Sequence, residues 1–328
     1  MILHSPSERR RRLLASVGAL ALCGSWPQRS TAKDGRPIRL IMPFAAGGPT
    51  DAVARIIAAS MSNHLGVPIV VDNKAGANGV IAADYVAKAP PDGTTLLYHT
   101  SAFTLGAALT ARLPYDPLKD FTYIGMTTSV PLVLLVRADF SANDPKQFIA
   151  ELRASPNKYS YGCVLRSIVH IAPEQMFLAL GVKATPIPYK GTAPAVVDLI
   201  GGQIQFAFDA VNSALPHIQG GKVKAIGVAS LKRIAVLPDV PTFDETVLPG
   251  FQAGTWGGIM APRNTSQDIV EPIHKALLAT LAEPAIRQQF ESQGLQIIGS
   301  SPEQYASFVR DEIQRWQKVI AAINIPLD

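Results

Sequence analysis

Between Arg36 and Thr100, apolar runs of strand length alternate with stretches of helical period, and that alternation restricts the chain to few folds. "RPIRLIMPF" reads as a strand, "TDAVARIIAASMSNHLG" as a helix closed by Gly66, and "VPIVVDN" as a second strand. "GVIAADYVAKAPPDG" gives a short helix and turn, and "TTLLYHT" a third strand. A βαβαβ order favours a largely parallel sheet with helices packed on it.

The pattern resumes farther on. "VPLVLLVRADF", "KYSYGCV", "KATPIPY", "IQFAFDAV" and "VKAIGVAS" read as strands, interleaved with the helices "DPKQFIAELRAS", "SIVHIAPEQMFLALG" and "APAVVDLIGG". From Thr265 to Ile323 the sequence is mostly helical. A second α/β lobe is the economical reading, since the length exceeds one comfortable core.

The first 32 residues stand apart. Arg9, Arg10, Arg11 and Arg12 precede the apolar run Leu13 to Cys23, and a polar stretch ends in small residues at Ser30 and Ala32. This is the layout of a secretory signal peptide, with cleavage expected after Ala32 and a twin-arginine route open. The run falls short of the ~20 residues a membrane span needs. Leu22 before Cys23 argues against a lipoprotein. Without this segment the 30 basic and 25 acidic residues become 25 and 24, so nothing points to nucleic acid or an anionic membrane. Cys163 then has no cysteine to pair with.

Candidate binding residues lie where strands meet helices. At "PFAAGGPTDAVARII" the backbone of Gly47 and Gly48 can pass close to a ligand, and Thr50 is placed to cap the helix. The free N–H groups of that first turn attract an anion. Phosphate is a poor fit, because there is no G-x-G-x-x-G or Walker lysine and Asp51 would repel it; an ordinary βα turn stays open. "YGCVLRSIVH" offers a second helix start at Ser167 beside Arg166, and "YKGTAPAVVDLIGGQIQFAFDA" a third after Lys190 and Gly191, with Asp209 beyond. One terminus contributes only ~0.3–1 kcal/mol, whereas micromolar affinity needs about 8 kcal/mol. Donors from both lobes must therefore converge.

The segments "PIRLIMPFAAGGPTDAVAR", "VVDNKAGANGVIAADYVAKAPPDGTTLL", "LPYDPLKDFTYIG", "PYKGTAPAVVDLIGGQIQFAFD" and "LPDVPTFDETVLPGF" resemble, in order, the Bug family of tripartite tricarboxylate transporter receptors. The resemblance implies a two-lobe type II periplasmic-binding-protein fold of the Venus flytrap kind, α/β with mainly parallel sheets and flanking helices. Residues 33–132 and 236–328 would form one lobe and 133–235 the other. It also implies a periplasmic receptor that takes a small carboxylate and hands it to a membrane permease, as a monomer without cofactor or catalysis. In that pattern Phe44, Gly47, Gly48, Pro49, Thr50 and Asp51 hold one carboxylate with help from Asn78 and Gly79. Tyr98 to Ser101 line the same lobe, Ser167 and His170 meet the far end of the ligand, and Asp209 matches the position that pairs with an amino group in relatives binding amino acids.

Two departures stand out. Arg166 occupies a position where such receptors commonly carry glycine, and a guanidinium can grip a second carboxylate; an arginine pointing into water is the alternative. "YHT" places Tyr98 and His99 near the cleft, where with Phe44 they could stack on an aromatic dicarboxylate such as terephthalate. Competing readings are a sensor subunit or an enzyme on the same fold. His170 and Glu174, four apart, lack further metal ligands nearby, and no G-x-S-x-G elbow is present. Trp256 either closes one wall of the cleft or packs against it.

Overall fold

The computed structural model describes residues 35–325; the signal-peptide features lie outside them. Strands β1 (Ile38–Met42), β2 (Ile69–Asn73) and β3 (Thr95–Thr100) alternate with helices α1 (Pro49–Leu65) and α2 (Val80–Ala87), as the alternation predicts. Gly66 ends α1 in the left-handed region, at φ 69°. Helix α3 (Ser101–Leu109) follows β3 directly, and then comes the long β4 (Phe121–Arg137). Next are α4 (Pro145–Ala154), β5 (Ser160–Cys163), α5 (Ile168–Leu180), β6 (Thr185–Pro188) and α6 (Thr192–Ile200). The chain continues through β7 (Phe206–Ala210), α7 (Val211–Gln219), β8 (Val223–Val228) and β9 (Gly254–Pro262). It closes with α8 (Gln267–Ala282), α9 (Pro284–Glu291), β10 (Gln296–Ile297) and α10 (Pro302–Ile323). Among the described residues no helix is long and apolar enough to cross a membrane.

The strands run β2-β1-β3-β9-β4-β7-β5-β6. Parallel pairing holds on the two flanks, β2-β1-β3 and β7-β5-β6. Between them, β9 and β4 are antiparallel to each other and to their neighbours β3, β7 and β8. Sequence order therefore differs from spatial order: β9, from late in the chain, is inserted between β3 and β4. This is the α/β two-lobe type II architecture, with β4 shared by both halves.

The passage between halves falls at one place. Pairing of β4 with β9 ends at Pro131 opposite Gly254, and pairing with β7 begins at Leu132 opposite Ala210. A methyl group on Gly254 would lie 2.4 Å from the Val130 carbonyl oxygen and 3.0 Å from the Pro131 Cα, so only glycine allows the strands to cross here. Leu132 donates to the Ala253 carbonyl at 2.9 Å, Ala253 to Ala229 at 3.0 Å, and Ala229 back to Leu132 at 2.8 Å.

Candidate functional site

A cleft of about 720 Å³ lies where the two flanks of the sheet face each other. Six helices begin at it, α2 among them through Val80. Thr50 of α1, Ser101 and Ala102 of α3, Ser167 to Val169 of α5, Thr192 of α6 and Ala210 before α7 all contribute to its wall. Each start leaves N–H groups that the helix itself does not bond, so partial positive charge gathers at one point. Four of these starts, those of α1, α2, α5 and α6, are legible in the sequence. The other two are not.

The first loop folds by a route that the sequence does not reveal. Gly48 caps α1 with extended backbone at φ −76° and ψ 166°, and Pro49 takes the first helical position, where its fixed φ fits. Thr50 is thus one residue inside the helix rather than its cap. Asp51 points inward. Its carboxylate accepts from the Gly47 N–H at 2.9 Å, Arg55 Nε at 2.8 Å and Asn73 Nδ2 at 2.8 Å. Asn73 Nδ2 also donates to the Phe44 carbonyl at 2.9 Å, tying the loop to β2. These donors, Arg55 first, hold the Asp51 carboxyl at about 2 despite its burial. Gly47, Gly48 and Asp51 consequently shape the loop without lining the cleft, while Phe44 and Thr50 line it. Asp51→Ala is expected to cost about 2 kcal/mol, by stripping a buried acceptor from three donors. A melting-temperature change within error would show that the loop holds its shape without it.

Asn78 lines the cleft, and Gly79 beside it is buried and does not. At φ 93°, a methyl group on Gly79 would sit 2.5 Å from His99 Nε2. His99 is fully buried, its Nδ1 accepting from the Thr100 N–H at 2.9 Å. Burial lowers its pKa to about 4, so the ring is neutral. Tyr98 is 1% exposed with its hydroxyl 3.2 Å from Thr127 Oγ1, and it touches only a smaller recess of about 210 Å³ adjoining the cleft. Pro49 borders that recess too. The expected stacking role of Tyr98 and His99 is therefore corrected: both are core side chains, and Phe44 alone of the three faces the cleft. Ser101 Oγ donates to Thr255 Oγ1 at 3.0 Å, joining α3 to β9 at the cleft edge.

On the opposite wall Arg166 adopts φ 64°, a left-handed conformation that explains why glycine suits this position. The guanidinium reaches across and donates to the Leu109 carbonyl at the end of α3, 2.9 Å away. It therefore lines the cleft instead of extending into water. The Arg166 N–H donates to His170 Nδ1 at 3.2 Å, and the His170 ring, 8% exposed, folds back to support this turn without lining the cleft. Burial lowers the His170 pKa, which keeps that nitrogen an acceptor. Ser167 lines the cleft, with its hydroxyl donating to the Val164 carbonyl at 2.7 Å. Asp209, 4% exposed, borders both the cleft and the recess; it is a buried carboxylate and not a solvated turn residue.

The sequence reading missed the leucines. Leu105, Leu109 and Leu113 from one side and Leu132, Val164 and Ile168 from the other form an apolar middle between the polar ends. Cationic side chains Arg112 and Lys190 stand at the same cleft. Glu174 accepts from the Tyr161 hydroxyl at 2.6 Å, away from the cleft. Cys163 is buried and its thiol is pushed up to about 12 by burial, the behaviour of an inert apolar side chain. Trp256 packs edge-on between Tyr305 and Phe308 and borders the recess, not the cleft.

Residues 53–325 match the family model described as tripartite tricarboxylate transporter family receptor. The chain is 36% identical to protein BugT of Bordetella pertussis over 314 residues, 94% of this chain and 96% of that protein. It superposes on MatC from Rhodopseudomonas palustris with bound malate at a TM-score of 0.77 and 36% identity, covering 87% and 99% of the two chains. The structure of R. palustris Rpa4515 with adipate gives a TM-score of 0.82 at 32% identity, covering 92% of this chain and all of that one. The chain belongs to the Bug family of tripartite tricarboxylate transporter receptors, a family of solute-binding receptors and not of enzymes.

Proposed function

We propose that this protein captures a small carboxylate with an apolar body in the cleft and delivers it, in the periplasm, to the permease of a tripartite tricarboxylate transporter. The observation that carries this reading is the convergence of six helix starts on one cleft with an apolar middle. Six termini contribute roughly 2–6 kcal/mol together, and one or two charge-assisted hydrogen bonds at ~1.5–3 kcal/mol each bring the sum to micromolar affinity. Residues 33–132 and 236–328 would close against 133–235 about the crossing at Pro131 and Gly254. The first 32 residues would serve export, with cleavage near Ala32. The receptor would act as a monomer.

In this reading Phe44, Thr50, Asn78 and Ser101 meet one end of the ligand, and Arg166, Ser167 and Asp209 the other. With the six apolar residues of the middle and Phe44, a flat or extended hydrocarbon between two carboxylates fits; terephthalate and adipate are the two shapes to compare. MatC and Rpa4515, bound to malate and adipate, support a dicarboxylate. Thermal-shift screening followed by calorimetry against malate, adipate, terephthalate and benzoate is expected to give at least one micromolar ligand and no turnover. Absence of binding by any carboxylate would overturn the reading, and consumption of the ligand would replace it with an enzyme. Arg166→Ala is expected to weaken the best dicarboxylate about tenfold or more. Unchanged affinity would remove Arg166 from the site.

A further inference from the structure

We propose that Asp209 meets the bound carboxylate as a neutral acid, its O–H donating to a ligand oxygen, so that capture takes up a proton from solvent. The inference rests on the carboxylate reading above. It begins from a conflict. A site built to gather anions holds, at the meeting point of the cleft and its recess, a carboxylate that is 4% exposed.

Among the described residues no arginine, lysine or histidine forms an ion pair with that carboxylate. From its own strand end, the Ala210 N–H donates to Asp209 Oδ1 at 2.8 Å. From α6 and α7 come the hydroxyls of Thr192 and Ser213, and His217 contributes a favourable charge from the far end of α7. On β4 it stands opposite Val133, an apolar residue. Across the cavity, α1 contributes Thr50, and the Asp51 beside it is already satisfied by Arg55. The charged groups of the cleft wall are Arg112, Arg166 and Lys190, and none forms an ion pair with Asp209 among the described residues. Burial outweighs the donors and raises the Asp209 pKa above the ordinary carboxylate range before any ligand arrives. An anion placed beside it raises the pKa again, because two like charges in a desolvated site disfavour ionisation.

The chemistry balances simply: one proton from water joins the carboxylate, no bond of the ligand changes, and the new O–H fills a ligand lone pair. A ligand carrying an ammonium group would do the opposite and keep Asp209 ionised. Proton uptake is therefore the mark of an acid that lacks an amino substituent next to the bound carboxylate.

Calorimetry with adipate as the probe, in buffers of different ionisation heat at pH 7 to about 8.5, tests this on the wild-type protein. Adipate stays fully ionised there, since ordinary carboxyls titrate near 4. The expected result is net uptake of up to one proton per adipate, with affinity falling by as much as about tenfold per pH unit at the upper end. Asp209→Asn, which offers a permanent N–H donor, is expected to show no uptake and a flat profile, and to bind adipate about tenfold more tightly than wild type near pH 8.5. Adipate binding without proton uptake in the wild type would overturn the proposal and leave the carboxylate reading standing. Failure of every carboxylate in the earlier panel to bind would instead overturn that reading.

Discussion

Gly257→Ala is expected to lower the melting temperature by about 5 °C or more. A methyl group there would lie 2.0 Å from the Tyr98 hydroxyl oxygen and 2.8 Å from Thr127 Oγ1. Both neighbours are buried on strands that flank β9, so neither can turn aside into solvent. Overfilling a close-packed interior costs ~1–3 kcal/mol and more when backbone must shift, and each kcal/mol moves a chain of this size by about 2 °C. Tyr98→Phe, made in the Gly257→Ala background, removes the nearest atom and is expected to recover part of the loss. A single-variant change under about 1 °C would mean that β3 and β9 separate freely, contrary to tight packing at the centre of the sheet.

Acid is expected to weaken the fold through His99. Its folded pKa of about 4 lies below the ordinary 6.5, so the unfolded chain accepts the proton first. Stability from this ring is complete above pH 6.5 and drains away as pH falls from there towards 4, by about 3 kcal/mol in all. His170, also lowered by burial, acts in the same direction below pH 6.5. Asp209, raised by burial, acts in the opposite sense, stabilising most below pH 3.8 and less as pH climbs. The His99 share is therefore read as the difference between wild type and His99→Phe, a change that keeps an aromatic ring beside Phe103, whose centroid is 5.2 Å away. Parallel curves for the two proteins between pH 4 and 6.5 would show that the buried imidazole is not what acid attacks.

The sequence made the outer strands legible for a definite reason: β1, β2 and β3 are apolar runs bounded by glycine, proline and helical patterns, and local chemistry suffices to mark them. The helix α3 escaped because "SAFTLGAAL" is small and apolar with Gly106 inside it, a poor local match to an amphipathic helix; Thr100 before it, accepting from the Ala102 N–H, was the signal available. Strand β9 escaped because Gly254, Gly257 and Gly258 count against a strand locally. Their cause is tertiary, since a methyl group on Gly258 would lie 2.3 Å from the Tyr305 ring, just as one on Gly257 would strike Tyr98.

At the site, helix starts could be read from capping and glycine patterns, yet the direction of side chains could not. Position in the sequence put Tyr98, His99 and His170 beside cleft residues, and packing turned all three inward. Asp51 lies among cleft residues in sequence too, but Arg55, one helical turn on, pulls its carboxylate away. The leucine middle is invisible without the fold, because α3 and α5 meet only across the cleft.

The placement of β9 also governs when this chain can become itself. Leu97 of β3 waits for Met260, and Tyr123 of β4 for the same residue, so the central ladder has a missing rung until translation has passed Pro262. Contacts so distant in sequence are slow to form, since a long loop must close before they return any stabilisation. A nascent polypeptide built this way cannot complete its central sheet until most of its synthesis is done.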